Sequence, residues 1–338
     1  MNRVLARYDR AVKAVRIHED GGPEVLRYED AADPAPGPGE VLISLKAASL
    51  NHLDIWLRRG LPSAPKPRIL GADGAGVVVG LGDGVDRFAE GDPVVINPGL
   101  EEGARIVGEH MDGTHAELIA LPADYVYALP DRLSFEEAAA FPLVFETAYR
   151  MLVTRAGLVE DEWVFVWGIG SGVATASLQV AKALGARVIV TSSSDEKLER
   201  ALELGADAAV NHAEGDVAGT VREVTGGRGA DVVVEHVGEA TWKTSLQVAA
   251  AGGRVAVCGA TSGPNPPANL HRIWWKQLTV VGSTMGTQSD FRAVYELVAS
   301  GRAKPVVDRV FPLAEAAAAH EHLEAGRQLG KVVLAIGG

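Results

Sequence analysis

Residues 163–174 read Trp-Val-Phe-Val-Trp-Gly-Ile-Gly-Ser-Gly-Val-Ala. An apolar run of strand character stops at Gly168, and glycines follow at 168, 170 and 172. From Val173 to Leu184 the chain is apolar at helical spacing and ends at Gly185. Strand, tight glycine turn and helix make up the context of a dinucleotide-binding fingerprint. Glycines let the backbone come close to a pyrophosphate, and the first amides of a helix offer N–H groups to its charge. Gly168, Gly170, Ser171, Gly172 and Val173 are therefore the candidate phosphate contacts. The spacing is G-x-G-x-G-V-A rather than G-x-G-x-x-G, so Val173 stands where the last glycine of the motif would fall. A glycine-rich turn without a ligand could use the same residues. The next strand, Arg187 to Thr191, arrives at the distance that completes a βαβ unit and favours the phosphate role.

The elements around this turn divide into two kinds. The N-terminal third is rich in glycine, proline and β-branched residues, with short strands expected at Lys13–His18, Val41–Lys46, Gly76–Val79 and Pro93–Ile96. Near Ser134 the character changes. Ser134-Phe135-Glu136-Glu137 carries the capping-box pattern, with Ser134 as N-cap and Glu137 as its partner. Beyond it strands are expected at 163–167, 187–191, 208–210, 231–235, 254–258 and 278–282, with helical patterns between most of them. Strands linked by helical crossovers predict a doubly wound parallel sheet. Helices near 289–300 and 314–325 and a last strand at Lys331–Ile336 finish the chain. The expected organisation is a β-rich domain over 1–135 (with 1–11 as an extension) and a Rossmann domain over 136–284, followed by a last part over 285–338.

Bulk properties exclude several classes. The chain has 338 residues, 47% of them hydrophobic and 22% charged, which suits a globular protein of two domains. Lys and Arg total 32 against 44 Asp and Glu, a net charge of −12, which is unfavourable for binding nucleic acid or an anionic membrane. The single cysteine, Cys258, leaves no intramolecular disulfide and no cysteine-cluster zinc site. With no signal-peptide pattern and no long apolar run, a cytoplasmic location is expected.

The chain resembles the medium-chain dehydrogenase/reductase superfamily from about Val12 to its end. The resemblance is carried by Pro38-Gly39-Glu40-Val41-Leu42, Asn51-His52-Leu53-Asp54, Gly71-Ala72-Asp73-Gly74-Ala75-Gly76-Val77-Val78, the glycine turn, Leu204-Gly205-Ala206-Asp207, Gly252-Gly253-Arg254 and Gly330-Lys331-Val332-Val333. Within the superfamily it is similar to the quinone oxidoreductase and zinc-type alcohol dehydrogenase-like branch. That resemblance implies a GroES-like β-rich catalytic domain, a Rossmann cofactor domain, a return of 285–338 to the catalytic domain and an active site in the cleft between the two domains. Zinc-dependent members carry a cysteine, a histidine and a cysteine or acid at positions that correspond here to Asn51, Ala72 and about Leu143. Ala72 and Leu143 have no donor, and Asn51 is a poor substitute for a thiolate. The lobe that holds a structural zinc in some members is cut short after Pro98-Gly99. No metal is therefore expected. A rival reading would improvise a site from His52, Asp73, His110 or His115.

A cofactor with a free ribose hydroxyl usually meets an acid at the end of the second strand, and here that position is Ser192. Ser192 and Ser193 can donate to a 2′-phosphate, and Lys197 adds a positive charge. Asp195 and Glu196 oppose it, and the serines have a second use as helix caps. The balance favours NADPH over NADH. The resemblance adds cofactor-lining loops containing His236 and Val237, Gly259 and Ala260, and Ser283, Thr284 and Met285, together with Lys331. Cys258 is expected to end a buried strand as a small apolar residue.

Without a Lewis acid, reduction of a quinone or an activated C=C bond is easier than alcohol oxidation, because the substrate already carries an electron sink. Asn51 is the leading candidate for substrate contact, with a turn-residue role as its alternative. His52 is a candidate proton donor and Asp54 a candidate orienting group. Trp56 stands where related quinone reductases carry a tyrosine, so the proton donor stays open between a side chain and solvent. The resemblance implies that Thr147 packs beside the nicotinamide, with a helix-interior threonine bonding its own backbone as the alternative. The expected function is thus zinc-independent hydride transfer from NADPH to a quinone or enone. An enoyl-thioester reductase, which would need a basic patch from Arg58, Arg59, Lys66 and Arg68, and a non-catalytic NADPH-binding sensor are the alternatives. A homodimer is expected across the apolar edge Leu278–Gly282.

Overall fold

A computed structural model describes residues 11–337 of the chain. The proposed extension 1–11 lies, apart from Ala11, outside the described residues. Packing separates two compact units, one formed by the chain up to Leu143 together with Pro305 onward, the other by Val144–Lys304. Residues 136–143 thus group with the first unit and 285–304 with the second.

The first unit is built on the strand Glu40–Ser49, which pairs with Asp73–Leu81, Leu118–Pro122 and Lys331–Ala335. The residues of this strand are buried for most of its length, without the clean alternation of a half-exposed strand. Val41, Ile43, Leu45, Val78, Ile96, Leu121 and Leu334 are among the side chains that fill the core behind it. Gly76 is required here, since a Cβ would stand 2.2 Å from the Ser44 carbonyl oxygen across the pair. Register then fixes what comes next to what. Ser49 lies opposite Asp73 on one side and opposite Val333 on the other. The residues just beyond the end of this strand are therefore brought against Asp73 and the start of the C-terminal strand. The capping box is formed as expected, with Glu137 N donating to Ser134 Oγ and Ser134 N to Glu137 Oε2.

The second unit holds a six-stranded sheet in the order Ala208–Asn211, Arg187–Ser192, Trp163–Val166, Ala230–Glu235, Ala249–Val257, Thr279–Gly282. All five pairings are parallel. This is the 3-2-1-4-5-6 order of a doubly wound dinucleotide fold. The central strand Trp163–Val166 is buried along its whole length, as a parallel strand covered on both faces must be. The helix after the glycine turn runs Gly172–Ala183. One feature not foreseen from sequence is a π-helical stretch, Arg150–Arg155, continuing the helix Pro142–Tyr149. No helix among the described residues is long and apolar enough to cross a membrane.

Candidate functional site

In the first unit three segments meet at one carboxylate. Asp73 Oδ2 accepts from Ser49 Oγ at 3.0 Å, from Asn51 Nδ2 at 2.9 Å and from Lys331 Nζ at 3.0 Å. Its other oxygen accepts from the Leu143 amide at 2.8 Å. Lys331 Nζ also donates to Asn51 Oδ1 at 2.5 Å. Asp73, Lys331 and Asn51 are 0%, 3% and 5% exposed, so the ion pair is withdrawn from water. An ammonium only donates and a carboxylate only accepts. The amide oxygen of Asn51 must therefore face Lys331 and its nitrogen Asp73, with one Nδ2 hydrogen left over.

Asp54 supports this centre from below. It is the third residue of the short helix His52–Arg58, and its Oδ2 accepts from the Asn51 amide at 2.7 Å while Oδ1 accepts from the Gly71 amide at 2.9 Å. Burial pushes its pKa up to about 7, against the two amides and Lys331, which pull it down. The turn-residue role of Asn51 is thus real, but it is the backbone of Asn51 that Asp54 caps, while the side chain goes to Asp73 and Lys331. His52 opens the same helix, with its ring edge toward Trp56.

The histidines and donors do not make a metal centre. His115 is fully buried, and burial lowers its pKa to about 4. The Ser49 carbonyl lies near its ring, but neither ring nitrogen has a hydrogen-bond partner of good geometry. His115 instead faces His320 edge-on, with ring centres 6.2 Å apart. His110 Nδ1 takes the Ile106 amide. At the three positions where zinc-dependent members carry ligands, Asn51 turns its amide oxygen to the Lys331 ammonium, Ala72 offers a methyl group, and Leu143 offers an amide that is spent on Asp73. These residues do not fit a catalytic zinc. Among the described residues no cluster of three His, Cys, Asp or Glu could hold a metal ion.

In the second unit the glycine turn lies at the carboxyl end of the central strand. Gly168 has φ +57°, a left-handed conformation that glycine adopts without strain, and its amide donates to Thr191 Oγ1 at 3.1 Å. Ser171 is the N-cap of Gly172–Ala183, its Oγ accepting from the Ala174 amide. The amides of Gly172 and Val173 belong to the first turn of that helix, which has no internal acceptors for them. This cradle fits a pyrophosphate.

The other predicted cofactor residues of the second unit also stand at or beyond carboxyl strand ends, whereas Lys331 opens the strand Lys331–Ala335 of the first unit. Ser192 closes the second strand, and its Oγ accepts from the Ser194 amide. It is Ser194 that caps the following helix, with Ser193 exposed between them and Lys197 in the first turn. Asp195 Oδ1 accepts from Asn211 Nδ2 at 2.9 Å. His236 Nε2 lies 2.9 Å from the Trp167 carbonyl, and burial lowers its pKa. Val237 donates its amide to Glu235, and its carbonyl accepts from Ser262. Gly259 and Ala260 follow the strand Ala249–Val257. Ser283, Thr284 and Met285 follow Thr279–Gly282, with Met285 at φ +46°. Thr147 is buried on the helix Pro142–Tyr149. A cavity of about 490 Å³ opens beside the turn, lined by Trp167, Gly168, His212, Val237, Thr241 and other residues.

The sequence reading singled out Asn51, Asp54 and Lys331 separately, and the structure joins them. That Asp73 and Ser49 complete the group was not evident from sequence, where Asp73 stood out only within Gly71–Val78 and as a member of the rival metal site. The basic patch that a coenzyme A thioester would need is not formed. Arg58 is fully buried against Glu324 and His320, and Arg59 donates to Glu324. Lys66 pairs with Asp20, and Arg68 with Asp112. Cys258 follows the fifth strand with its thiol pushed up to about 12 by burial, so it stays protonated.

Comparison with known proteins agrees with this architecture. Residues 37–131 match the alcohol dehydrogenase GroES-like domain family and residues 172–300 the zinc-binding dehydrogenase family. The chain belongs to the medium-chain dehydrogenase/reductase superfamily of oxidoreductases, in its quinone oxidoreductase and zinc-type alcohol dehydrogenase-like branch. It is 35% identical to a quinone oxidoreductase of Pseudomonas aeruginosa, covering 95% of this chain and 99% of that one. A crystal structure of an NAD-dependent alcohol dehydrogenase is 46% identical with a TM-score of 0.93, covering 96% of this chain and all of that one. The crotonyl-CoA carboxylase/reductase AntE, solved in complex with NADP, is 25% identical with a TM-score of 0.89, covering 96% of this chain and 95% of that one.

Proposed function

We propose that the protein transfers a hydride from NADPH to a quinone or an α,β-unsaturated carbonyl compound, without a metal. The observation that carries this reading is the buried centre of Asn51, Asp73 and Lys331, which offers an amide donor where a Lewis acid would otherwise be needed. When bound, the nicotinamide supplies the hydride from its C4. Gly168, Gly170, Ser171, Gly172 and Val173 would hold the pyrophosphate. Ser192, Ser193 and Lys197 would take the 2′-phosphate, and the cavity beside Trp167 and Val237 suits the adenosine end. The loops with His236, Gly259, Ala260, Ser283, Thr284 and Met285, and Thr147 on its helix, would line the remainder.

The residues of this chain then have two tasks. Asn51 donates its second Nδ2 hydrogen to the substrate oxygen, and this bond strengthens as negative charge gathers there during hydride addition. Asp54 fixes the Asn51 backbone by accepting its amide. Solvent or His52 returns the proton once the enolate or hydroquinone anion has formed. The NADPH preference rests on the serine at the end of the second strand, where an acid would repel a 2′-phosphate.

The similarity to AntE supports a second reading, reduction of an enoyl thioester. The neutralised state of Arg58, Arg59, Lys66 and Arg68 counts against it. The test is absorbance at the reduced-nicotinamide band with 1,4-benzoquinone, a simple enone and crotonyl-CoA, using NADPH and NADH in parallel, before and after chelator. Chelator-insensitive NADPH oxidation with quinone or enone is expected. Turnover abolished by chelator and restored by zinc would overturn the metal-free reading. Tight NADPH binding with no turnover on any substrate would make the protein a binder.

A further inference from the structure

Lys331 is the one lysine counted as buried among the described residues, and its burial asks for a reason. The residues after it on the same strand are Val332, Val333 and Leu334, all fully buried, and an apolar side chain at 331 would keep the same backbone pairing. A buried ion pair is weak support for stability compared with apolar packing, so its retention points to a role in the centre it occupies. The ammonium lies 2.5 Å from Asn51 Oδ1 and 3.0 Å from Asp73 Oδ2, the side-chain oxygens that a metal in this centre would have to use.

We propose that Lys331 is the resident cation of the centre. It fixes the Asn51 amide with its nitrogen outward from the ammonium, and its charge closes the centre to a divalent metal. The first part rests on the proposed substrate contact of Asn51, and the second does not. An amide whose oxygen accepts from an ammonium is polarised and becomes a better donor at its nitrogen. Asp73 balances the charge of Lys331 and takes the other amide hydrogen, so the pair leaves one orientation open to the amide. A divalent ion on the same oxygens would have to displace the ammonium or sit in contact with a like charge at low dielectric. Lys331 and Asp73 are positioning residues in this scheme, acting through Asn51. The family match to zinc-binding dehydrogenases and the donor set of this chain thus part company at a lysine already in place.

Two measurements test this. In the first, Lys331→Met and the charge-neutral pair Lys331→Met/Asp73→Asn are compared with the wild type for kcat, KM and NADPH dissociation constant. Folding is checked by circular dichroism, and the pair is read where the single variant does not fold. The expected result is a kcat lower by ~10²-fold, the scale of one lost oxyanion donor, with the NADPH dissociation constant nearly unchanged. A weaker NADPH affinity with kcat preserved would assign Lys331 to the cofactor and overturn the positioning role. In the second, Asn51→Cys/Ala72→His is titrated with Co²⁺ with Lys331 present and with Lys331→Met added, following visible cobalt absorption. Uptake only in the variant lacking Lys331 is expected. Equal uptake with Lys331 present, or no uptake in either, would overturn metal exclusion by charge. A wild type that reduces no substrate would defeat the proposed function, while the cobalt result would still decide the second part.

Discussion

Asn51 and Lys331 are 280 residues apart in the chain, yet Lys331 Nζ donates to Asn51 Oδ1 at 2.5 Å. The contact is produced by strand register. In the pairing of Glu40–Ser49 with Lys331–Ala335, Ser49 faces Val333, so two further steps along each chain bring 51 and 331 level. The same strand sets Ser49 against Asp73 on its other side. The register that makes these contacts is strongly specified, because a one-residue slip of a buried strand would turn its apolar side chains to the wrong face.

Asn51→Ala removes the proposed donor to the substrate oxygen and leaves Lys331 and Asp73 paired. Turnover is expected to fall ~10²-fold with little change in cofactor affinity. Steady-state kinetics with a quinone checks this, and an unchanged kcat would remove Asn51 from the mechanism.

Two buried groups give opposite pH signatures. Asp54 titrates at about 7 in the fold against 3.8 for its reference carboxyl, so the native state binds the extra proton. Its contribution to stability is fully present only below about pH 4 and is lost progressively as pH rises from there through 7, by about 3 kcal/mol between pH 5 and 8. His115 titrates at about 4 in the fold against 6.5, so the unfolded state binds the extra proton and stability is lost as pH falls below 6.5. That loss is about 2 kcal/mol by pH 5. Urea unfolding of Asp54→Asn and His115→Leu across pH 5–8 should isolate the two slopes. A stability difference from wild type that does not vary with pH would count against either assignment.

Ser192→Asp places a carboxylate at the end of the second strand, where it can still accept from the Ser194 amide. Its charge opposes a 2′-phosphate and suits a free ribose hydroxyl. Preference should move from NADPH toward NADH by about tenfold or more, ~1.4 kcal/mol in relative transition-state binding. The ratio of kcat/KM for the two cofactors measures it. A wild type that already prefers NADH would contradict the serine argument.

The sixth strand, Thr279–Gly282, is an edge of the parallel sheet, with Val280 43% exposed. Near it in sequence, Trp274 and Trp275 are 60% and 70% exposed. An open apolar edge of this kind invites pairing with a second copy. Light scattering at micromolar concentration is expected to give a dimer, and Trp275→Glu/Val280→Lys to give a monomer. A monomeric wild type would end this proposal.

Much of the second unit was legible from local pattern alone. The glycines at 168, 170 and 172 and the apolar strands between helical periods are signals written within a few residues of each other. Their geometry follows from backbone rules that need no distant partner. Of the serines that could cap the helix near 195, Ser194 does so, two residues beyond Ser192, a choice that pattern cannot resolve because each serine has the right chemistry. The first unit was less legible. Asn51, Asp54 and Lys331 could each be singled out by motif, but Asp73 gave no sign that it would gather them. The fate of Arg58, Arg59, Lys66 and Arg68 was also hidden, since their acidic partners are supplied by other segments.

By itself the sequence determined a dinucleotide-type βαβ unit, a β-rich partner unit and an absence of thiolate and imidazole at the expected ligand positions. The tertiary structure decided that Lys331 stands at Asn51 and Asp73, that Asp54 holds a backbone amide, and that His115 is buried neutral. The physical reason is that residue type and local spacing fix which groups are available. Long-range strand register and desolvation fix which of them meet, and what charge each can then carry.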